Sequence, residues 1–492
     1  MTTKLSRETL GALPEGIARP AYDPAGVTPG ILHVGMGNFH RAHQAIYIDD
    51  LLALGGSDDW GILGAGVMGY DAEQRKALMS QDCLYTVMEQ DGSGDSARVV
   101  GAMCGFAEVE DGHGPILKAM EDPAIRIVSL TVTEGGYFID PATGVFDPKN
   151  RQIQADIAHP DHPTTIFGAI VAGLRARRDA GAVPFTVMSC DNVPHNGKVA
   201  RAAVVGIARA QDPALADWIE ANVAFPNGMV DRITPATTPE RQAHLRDTYG
   251  LDDARPVFCE PFRQWVLEDS FTAGRPALEK VGVQFVADVT PYEHMKIRIL
   301  NGGHALIAYA GHLLRCTYAH EAMAHPLVGG FMNKVERDEV VPIVPPVPDT
   351  SLWDYLDLIK SRFANPRIED QIRRLCFDGS NRQPKFIVPS VADCLAAERG
   401  VDGLALGSAL WARYCFGEDE QGAKIEANDP AWERLVQQAH AARTDPMAWL
   451  EMADIYGDVA SNVTFRAAFG AALTSLWQEG TAETLKIYLA GE

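Results

Sequence analysis

"GILHVGMGNFHRAHQAIYIDDLLAL" (residues 30–54) opens on a β-rich apolar run, passes through Gly35-Met36-Gly37 and continues as a helix-like segment. A glycine-rich turn between a buried strand and a helix places backbone amides where a pyrophosphate can be received. Gly35, Met36, Gly37, Asn38, Phe39, His40 and Arg41 therefore form a candidate cofactor turn. The fingerprint is incomplete, because His40 stands where the third glycine of GxGxxG is usual. His40 and His43, three residues apart, could share a metal, but no cysteine or carboxylate follows at ligand-like spacing, and a phosphate explains Arg41 without one.

The same rhythm continues beyond this stretch. "WGILGAGV" (60–67), "IRIVSLTVT" (125–133) and "PFTVMSC" (184–190) are further strand-like runs, separated by helix-like segments such as "GAIVAGLRARRDAG". This βαβ alternation predicts a parallel sheet covered by helices. After about residue 285 long helical patterns take over, among them "MKIRILNGGHALIAYAGHLL", "IEDQIRRLC", "LGSALWARYCFG" and "WERLVQQAHAAR". The expectation is an α/β domain over 1–285 and a mainly α-helical domain over 286–492, with the proline-dense "VVPIVPPVPD" (340–349) a loop inside the second.

Composition narrows the function. A formal net charge of −22 over 492 residues repels nucleic-acid backbones and anionic lipid, and leaves neutral small molecules open. No apolar run approaches the roughly 18 residues of a membrane span, and the N-terminus lacks a signal-peptide core, which points to the cytosol. The eight cysteines show no CxxC spacing, so reduced buried thiols are expected rather than a zinc or redox site. "HEAMAH" (320–325) spaces its histidines five apart, so they diverge around a helix.

Asp71, after the second strand, is placed to bind an adenosine ribose and would favour NAD over NADP, although Arg75 and Lys76 lie close by. It could equally cap the helix that begins at "AEQRKALM". In "PYEHMKIRILNGGHALIAY" (291–309) an apolar helix carries Lys296, Asn301 and His304 beside two glycines, each costing a helix about 1 kcal/mol relative to alanine. At about 100° per residue the three polar groups fall near 0°, 140° and 80°, on one side, and the glycines would let a substrate or cofactor ring approach the backbone. A desolvated lysine can take an alcohol's proton, asparagine amides can stabilise the alkoxide, and a histidine can position a hydroxyl. A lysine that merely snorkels to the surface is the plainer alternative. Asn192, in "MSCDNVPHNG", stands at the C-terminal end of a predicted strand, with Asn196 expected to be a turn residue and Cys190 a core thiol.

Taken together, "GMGNFHRAHQ" (35–44), "TEGGY" (133–137), "FTVMSCDNVPHNG" (185–197), "FPNGMVDRITP" (225–235), "VLEDSF" (266–271), "GVQFVADVTPYEHMK" (282–296) and "DGSNRQPKFIVP" (378–389) resemble the polyol-specific long-chain dehydrogenases, and most closely the branch that interconverts D-mannitol and D-fructose with NAD. The resemblance implies a Rossmann-type N-terminal domain with a doubly wound, mostly parallel sheet, an α-helical C-terminal domain, an active site in the cleft between them, no metal, and a monomer. It implies Lys296 as general base, Asn192 and Asn301 as the oxyanion pair, His304 as a positioner, Glu293 as the route of the proton to solvent, and Asp71 as the NAD-selecting acid. Asp231, Arg374 and Arg382 are implied to touch substrate. Two residues depart from the family pattern: Arg382 replaces a lysine and Gly303 a serine, and both bear on which polyol is preferred. Sister enzymes acting on D-arabinitol or D-sorbitol, hexuronate reductases, and a non-catalytic dinucleotide-binding protein are the competing expectations.

Overall fold

The computed structural model describes residues 2–139 and 145–491. The chain divides into two compact units, Met1–Val289 and Thr290–Glu492.

The first unit is built on β1 (Pro29–Val34), which is followed by α1 (Asn38–Ala42) and α2 (Gln44–Ala53). Then come β2 (Gly61–Ala65), α3 (Asp71–Met79), β3 (Met103–Phe106), α4 (Gly114–Glu121), β4 (Ile127–Leu130), α5 (Ile166–Asp179), β5 (Thr186–Ser189) and α6 (Asn196–Gln211). The five strands pair in parallel in the order β3-β2-β1-β4-β5, the order of a Rossmann-type sheet. Because side chains alternate along a strand, β1 feeds two cores. Ile31 packs with Ile46 and Leu51 of α2, whereas Leu32 and Val34 pack with Met120 of α4, Phe167 and Leu174 of α5 and Val204 of α6. Burial on both faces is what a parallel sheet with crossover helices requires.

Two features depart from the sequence pattern. The stretch 40–54 reads as one helix, but the chain breaks at His43 (φ −120°, ψ −90°), whose Nε2 lies 2.8 Å from the Gln264 carbonyl and whose ring packs against Phe39, Tyr47 and Trp265. A tertiary hydrogen bond thus overrides helical periodicity. The second is a hairpin of Tyr85–Asp91 and Gly94–Val100, extended by Val257–Cys259 and Ile17–Ala18 into a four-stranded sheet that the βαβ pattern does not announce. Its local signal is "DG" at residues 91–92 between strand-like runs.

The second unit is helical. It contains α7 (Thr290–Met295), a π-helical turn (Lys296–Asn301), α8 (Gly302–Leu313), and α9 (Pro326–Val335) running into a second π-turn (Glu336–Val340). Next come α10 (Asp402–Tyr414) and α11 (Val463–Gln478). Every residue of α10 from Gly403 to Tyr414 is buried, so it is the central helix, and Gly407 lets Leu306 of α8 press against it. The segment "IEDQIRRLC" forms only the short helix Ile372–Leu375, and the proline-dense segment begins as a 3-10 turn, Val341–Ile343. Among the described residues no helix is long and apolar enough to cross a membrane.

Burial drives three histidines of the first unit to the neutral form: His33 and His43 are pushed down to about 3, and His40 falls well below its usual 6.5. The unfolded chain takes up these protons near pH 6.5 and the native state does not. Their contribution to stability is therefore complete above about pH 6.5 and is lost as the pH falls towards 3. Histidine-selective 15N NMR should find all three rings neutral from pH 8 to 5; a ring titrating near 6.5 would contradict this packing.

Candidate active site

At the end of β1 the chain turns on Gly35, with φ +102° and so little room that a Cβ would sit 2.1 Å from the Thr131 carbonyl. Only glycine satisfies both constraints. The turn is held by Gly35 N–H donating to the Ala65 carbonyl at 3.1 Å and by Thr131 Oγ1 donating to the Gly35 carbonyl at 2.6 Å. Gly37 is exposed, with nothing within 4 Å of a Cβ built on it.

The neighbouring side chains build this turn from beneath. Met36 is buried against Gly64. Asn38 donates to the Pro235 carbonyl and Thr237 Oγ1 and accepts from Arg41, and Phe39 stacks on His43. His40 is 1% exposed and stacks on His33 with ring centroids 3.4 Å apart. From sequence a phosphate accounts for Arg41, yet its guanidinium points inward, donating to the Arg255 carbonyl and to Asn38 Oδ1 and lying over the Tyr85 ring. What stays open is Gly37 at the head of α1, for the Gly35 N–H is taken by Ala65 and the Gly37 N–H closes the turn on the Gly35 carbonyl at 2.8 Å.

Asp71 begins α3. Its Oδ2 accepts from Met68 N–H at 2.9 Å, and its carboxyl lies against Gly66, where a Cβ would come within 2.2 Å of Asp71 Cβ. Oδ1 makes no hydrogen bond among the described residues. Arg75, the nearby guanidinium, is occupied by the Phe106 carbonyl and Glu108, both at 3.2 Å.

The loops after β4 and β5 are tied together by a residue the sequence pattern does not single out. Asp191, 8% exposed, accepts from the N–H groups of Val132 and Thr133 at 2.9 Å each and from Tyr137 Oη at 2.6 Å. The next residue, Asn192, is exposed. Asn196 is the first residue of α6 rather than a turn residue: it donates to the carbonyls of Asp191 and Gly228 and accepts from Gly228 N–H, locking the loop to the strand Gly228–Asp231. Asp231 is buried at the end of that strand. Cys190 is buried and its thiol is pushed up by burial, as suits a core thiol.

In the second unit Glu293 and Lys296 are 5% and 7% exposed. Lys296 and Asn301 bound a π-turn, so they stand roughly one turn apart and nearly in line, closer than the 140° of a regular helix. Asn301 Oδ1 and His304 Nε2 are buried without a hydrogen-bond partner among the described residues. The His304 ring stacks on Phe363 at 3.9 Å and is held neutral, first by burial and then by the charges of Arg374, Arg382 and Arg362. Arg374 makes a two-pronged ion pair with Asp370 at 2.6 and 2.5 Å, and Arg382 donates to the Leu375 carbonyl at 2.8 Å. Asp370 and Arg362 go unremarked in the sequence pattern, although Asp370 stands at i−4 from Arg374.

The glycine pair behaves differently from expectation. Gly302 and Gly303 are buried, and the space beside them is filled by protein: a Cβ at 303 would meet Met332 Cε at 2.9 Å, Phe363 at 3.3 Å and Glu336 Oε1 at 3.4 Å. They admit neighbouring side chains of the helical unit. Among the described residues no three His, Cys, Asp or Glu side chains converge where a metal could be held.

Comparison with known proteins agrees with both halves of this geometry. Residues 29–280 match the model of the mannitol dehydrogenase Rossmann domain, and residues 288–477 match that of the mannitol dehydrogenase C-terminal domain. A mannitol 2-dehydrogenase of Cereibacter sphaeroides is 60% identical over 96% of this chain and 99% of its own length. A polyol:NADP oxidoreductase of Gluconobacter oxydans is 44% identical over 87% of this chain and 88% of its own. Among solved structures, Pseudomonas fluorescens mannitol 2-dehydrogenase in a ternary complex with NAD and D-mannitol superposes with a TM-score of 0.91 and 43% identity over 100% of both chains. A substrate-free D-sorbitol dehydrogenase superposes with a TM-score of 0.88 and 38% identity over 98% of this chain and 100% of that one. The chain belongs to the mannitol dehydrogenase family, the polyol-specific long-chain dehydrogenases, and is an NAD-dependent oxidoreductase of that type.

Proposed function

We propose that the chain oxidises D-mannitol at C2 to D-fructose with a lysine as general base and no metal. The observation that carries this reading is the cluster on the π-turn and the start of α8: a buried lysine, with Asn301 Oδ1 and His304 Nε2 buried and unpartnered beside it. Orphaned neutral acceptors and donors suit neutral hydroxyls, which both give and take hydrogen bonds.

Lys296, as the free amine, accepts the proton of the reacting hydroxyl, a contribution of about 10²–10⁴-fold for a positioned base. Asn192 and Asn301 donate side-chain N–H to the oxygen as it gains negative charge, and removing one such donor typically costs about 10²–10³ in kcat. His304 exchanges hydrogen bonds with a neighbouring hydroxyl, Glu293 one turn earlier passes the lysine's proton onward, and Asp231, Arg374 and Arg382 hold the remaining hydroxyls. NAD, when bound, supplies the hydride acceptor. The exposed Gly37 on the turn of Gly35 and Met36, braced by Asn38 to Arg41, fits its pyrophosphate, and the unengaged Oδ1 of Asp71 fits the ribose hydroxyls. With Arg75 occupied by Glu108, little is left to hold the 2′-phosphate of NADP.

A second reading, reduction of a hexuronate, draws on the three guanidiniums near His304. The Asp370 carboxylate already balances one of them, which favours the neutral polyol. The net charge of −22 opposes a nucleic-acid partner, and a cytosolic monomer completes the proposal.

Lys296→Ala should bind NADH as tightly as the wild type while mannitol oxidation falls by about three orders of magnitude or more, and wild-type oxidation should rise with pH as the ammonium deprotonates. Full turnover in the alanine variant would remove the base assignment. Assayed side by side, mannitol should outrank sorbitol, arabinitol and fructuronate; turnover of the uronate alone would make the second reading correct. Asp71→Ala should lower the ratio of kcat/KM for NAD over NADP by at least about tenfold. Asp191→Ala should cost about 1–3 kcal/mol in urea unfolding, because two amides and a tyrosine hydroxyl lose their buried acceptor, and should reduce kcat as the loop of Asn192 loosens; unchanged stability would show that these bonds are dispensable.

A further inference from the structure

Glu336, the first residue of the second π-turn, has no part in the mechanism above. It is fully buried, and neither carboxyl oxygen has a hydrogen-bond partner among the described residues. Burial alone raises its pKa well above the usual carboxyl range, so it is a neutral acid with one O–H to donate. Such a group is unfavourable in a core that a methionine of similar size would fill better. Stability therefore gives no reason for it.

Its surroundings do. Oε1 lies 3.4 Å from where a Cβ would stand at Gly303 and 3.8 Å from the corresponding point at Gly302. The carboxyl thus rests against the bare backbone between Asn301 and His304. Phe363, which borders the same position at 3.3 Å, is the ring on which His304 stacks. The carbonyls of Phe386 and of Ile297, the latter within the π-turn, border the Gly302 position at 3.7 and 3.8 Å. The two π-turns also pack on one another.

We propose that Glu336 is a positioning residue for polyol oxidation, bracing through the gap left by Gly302 and Gly303 the turn that carries Lys296, Asn301 and His304. The inference rests on the reading that those three residues carry the chemistry. It also accounts for Gly303: a Cβ there would press Met332 and Phe363 and come into contact with the carboxyl.

The test compares Glu336→Gln, which keeps a donor of the same shape, with Glu336→Met, which fills the space without one. Glu336→Met should melt at the same temperature as the wild type or a few degrees higher and quench its tryptophan fluorescence with NADH as the wild type does. Its kcat should nevertheless fall about 10- to 100-fold, with KM for NAD unchanged, and Glu336→Gln should restore kcat to within about threefold of wild type. A fully active methionine variant would make the carboxyl an inert core group, and a glutamine variant as impaired as the methionine one would refute the donor role. Should the methionine variant fail to fold, Glu336→Leu provides the same reading: it should lower kcat at unchanged NADH binding, and full activity would overturn the proposal. Absence of polyol oxidation in the wild type would instead overturn the functional reading, so the two failures are distinct.

Discussion

Polar groups taken out of water must find a partner or be given a use, and the helical unit is organised around that constraint. Helix α8 and the turn before it run through an apolar interior, yet they bring a lysine, an amide and an imidazole with them. The chain supports these groups with a stacked phenyl ring, an arrangement of guanidiniums partly balanced by Asp370, and a change of helical pitch. The central helix α10, buried on all sides, is the rigid body against which α8 is set.

The Rossmann-type unit follows a different economy. The turn at Gly35–Gly37, proposed to receive the cofactor, is shaped almost wholly by backbone and by buried neutral rings. Gly35 turns because Thr131 leaves no room for a side chain, and the stacked His33–His40 pair fills the space beneath without adding charge. His40 therefore occupies the position of the usual third glycine without obstructing the turn. Asp191 performs the matching task at the other strand ends, joining two loops whose sequences lie about sixty residues apart.

Much of this was legible in the sequence, for identifiable reasons. Four of the five parallel strands announce themselves as short apolar runs ending in glycine or a polar loop, because burial on both faces leaves no other pattern. Lys296, Asn301 and His304 were visible because polar residues on an apolar helix are conspicuous. The hairpin Tyr85–Val100 was hidden by a mixed pattern, and the break at His43 by a partner more than two hundred residues away, Gln264. The inward turn of Arg41 and the packing behind Gly303 depend on tertiary neighbours that no local window contains. Glu336 was invisible for the same reason, since an isolated glutamate in "KVERDEV" reads as a solvated charge.

The π-turn has one more consequence, which concerns residue number rather than residue type. Such a turn amounts to one residue inserted into an α-helix, and here it lies between Lys296 and the two polar groups that follow. Were the same residues to close into regular pitch, Asn301 would lie about 140° around the axis from the lysine instead of nearly in line with it. Every side chain named in the mechanism would survive such a change of pitch, and their alignment would not. Removing one residue from 297–300 would instead leave Asn301 four residues from the lysine in a regular helix, about 40° around the axis, so a relative one residue shorter in this segment can keep the alignment without the π-turn.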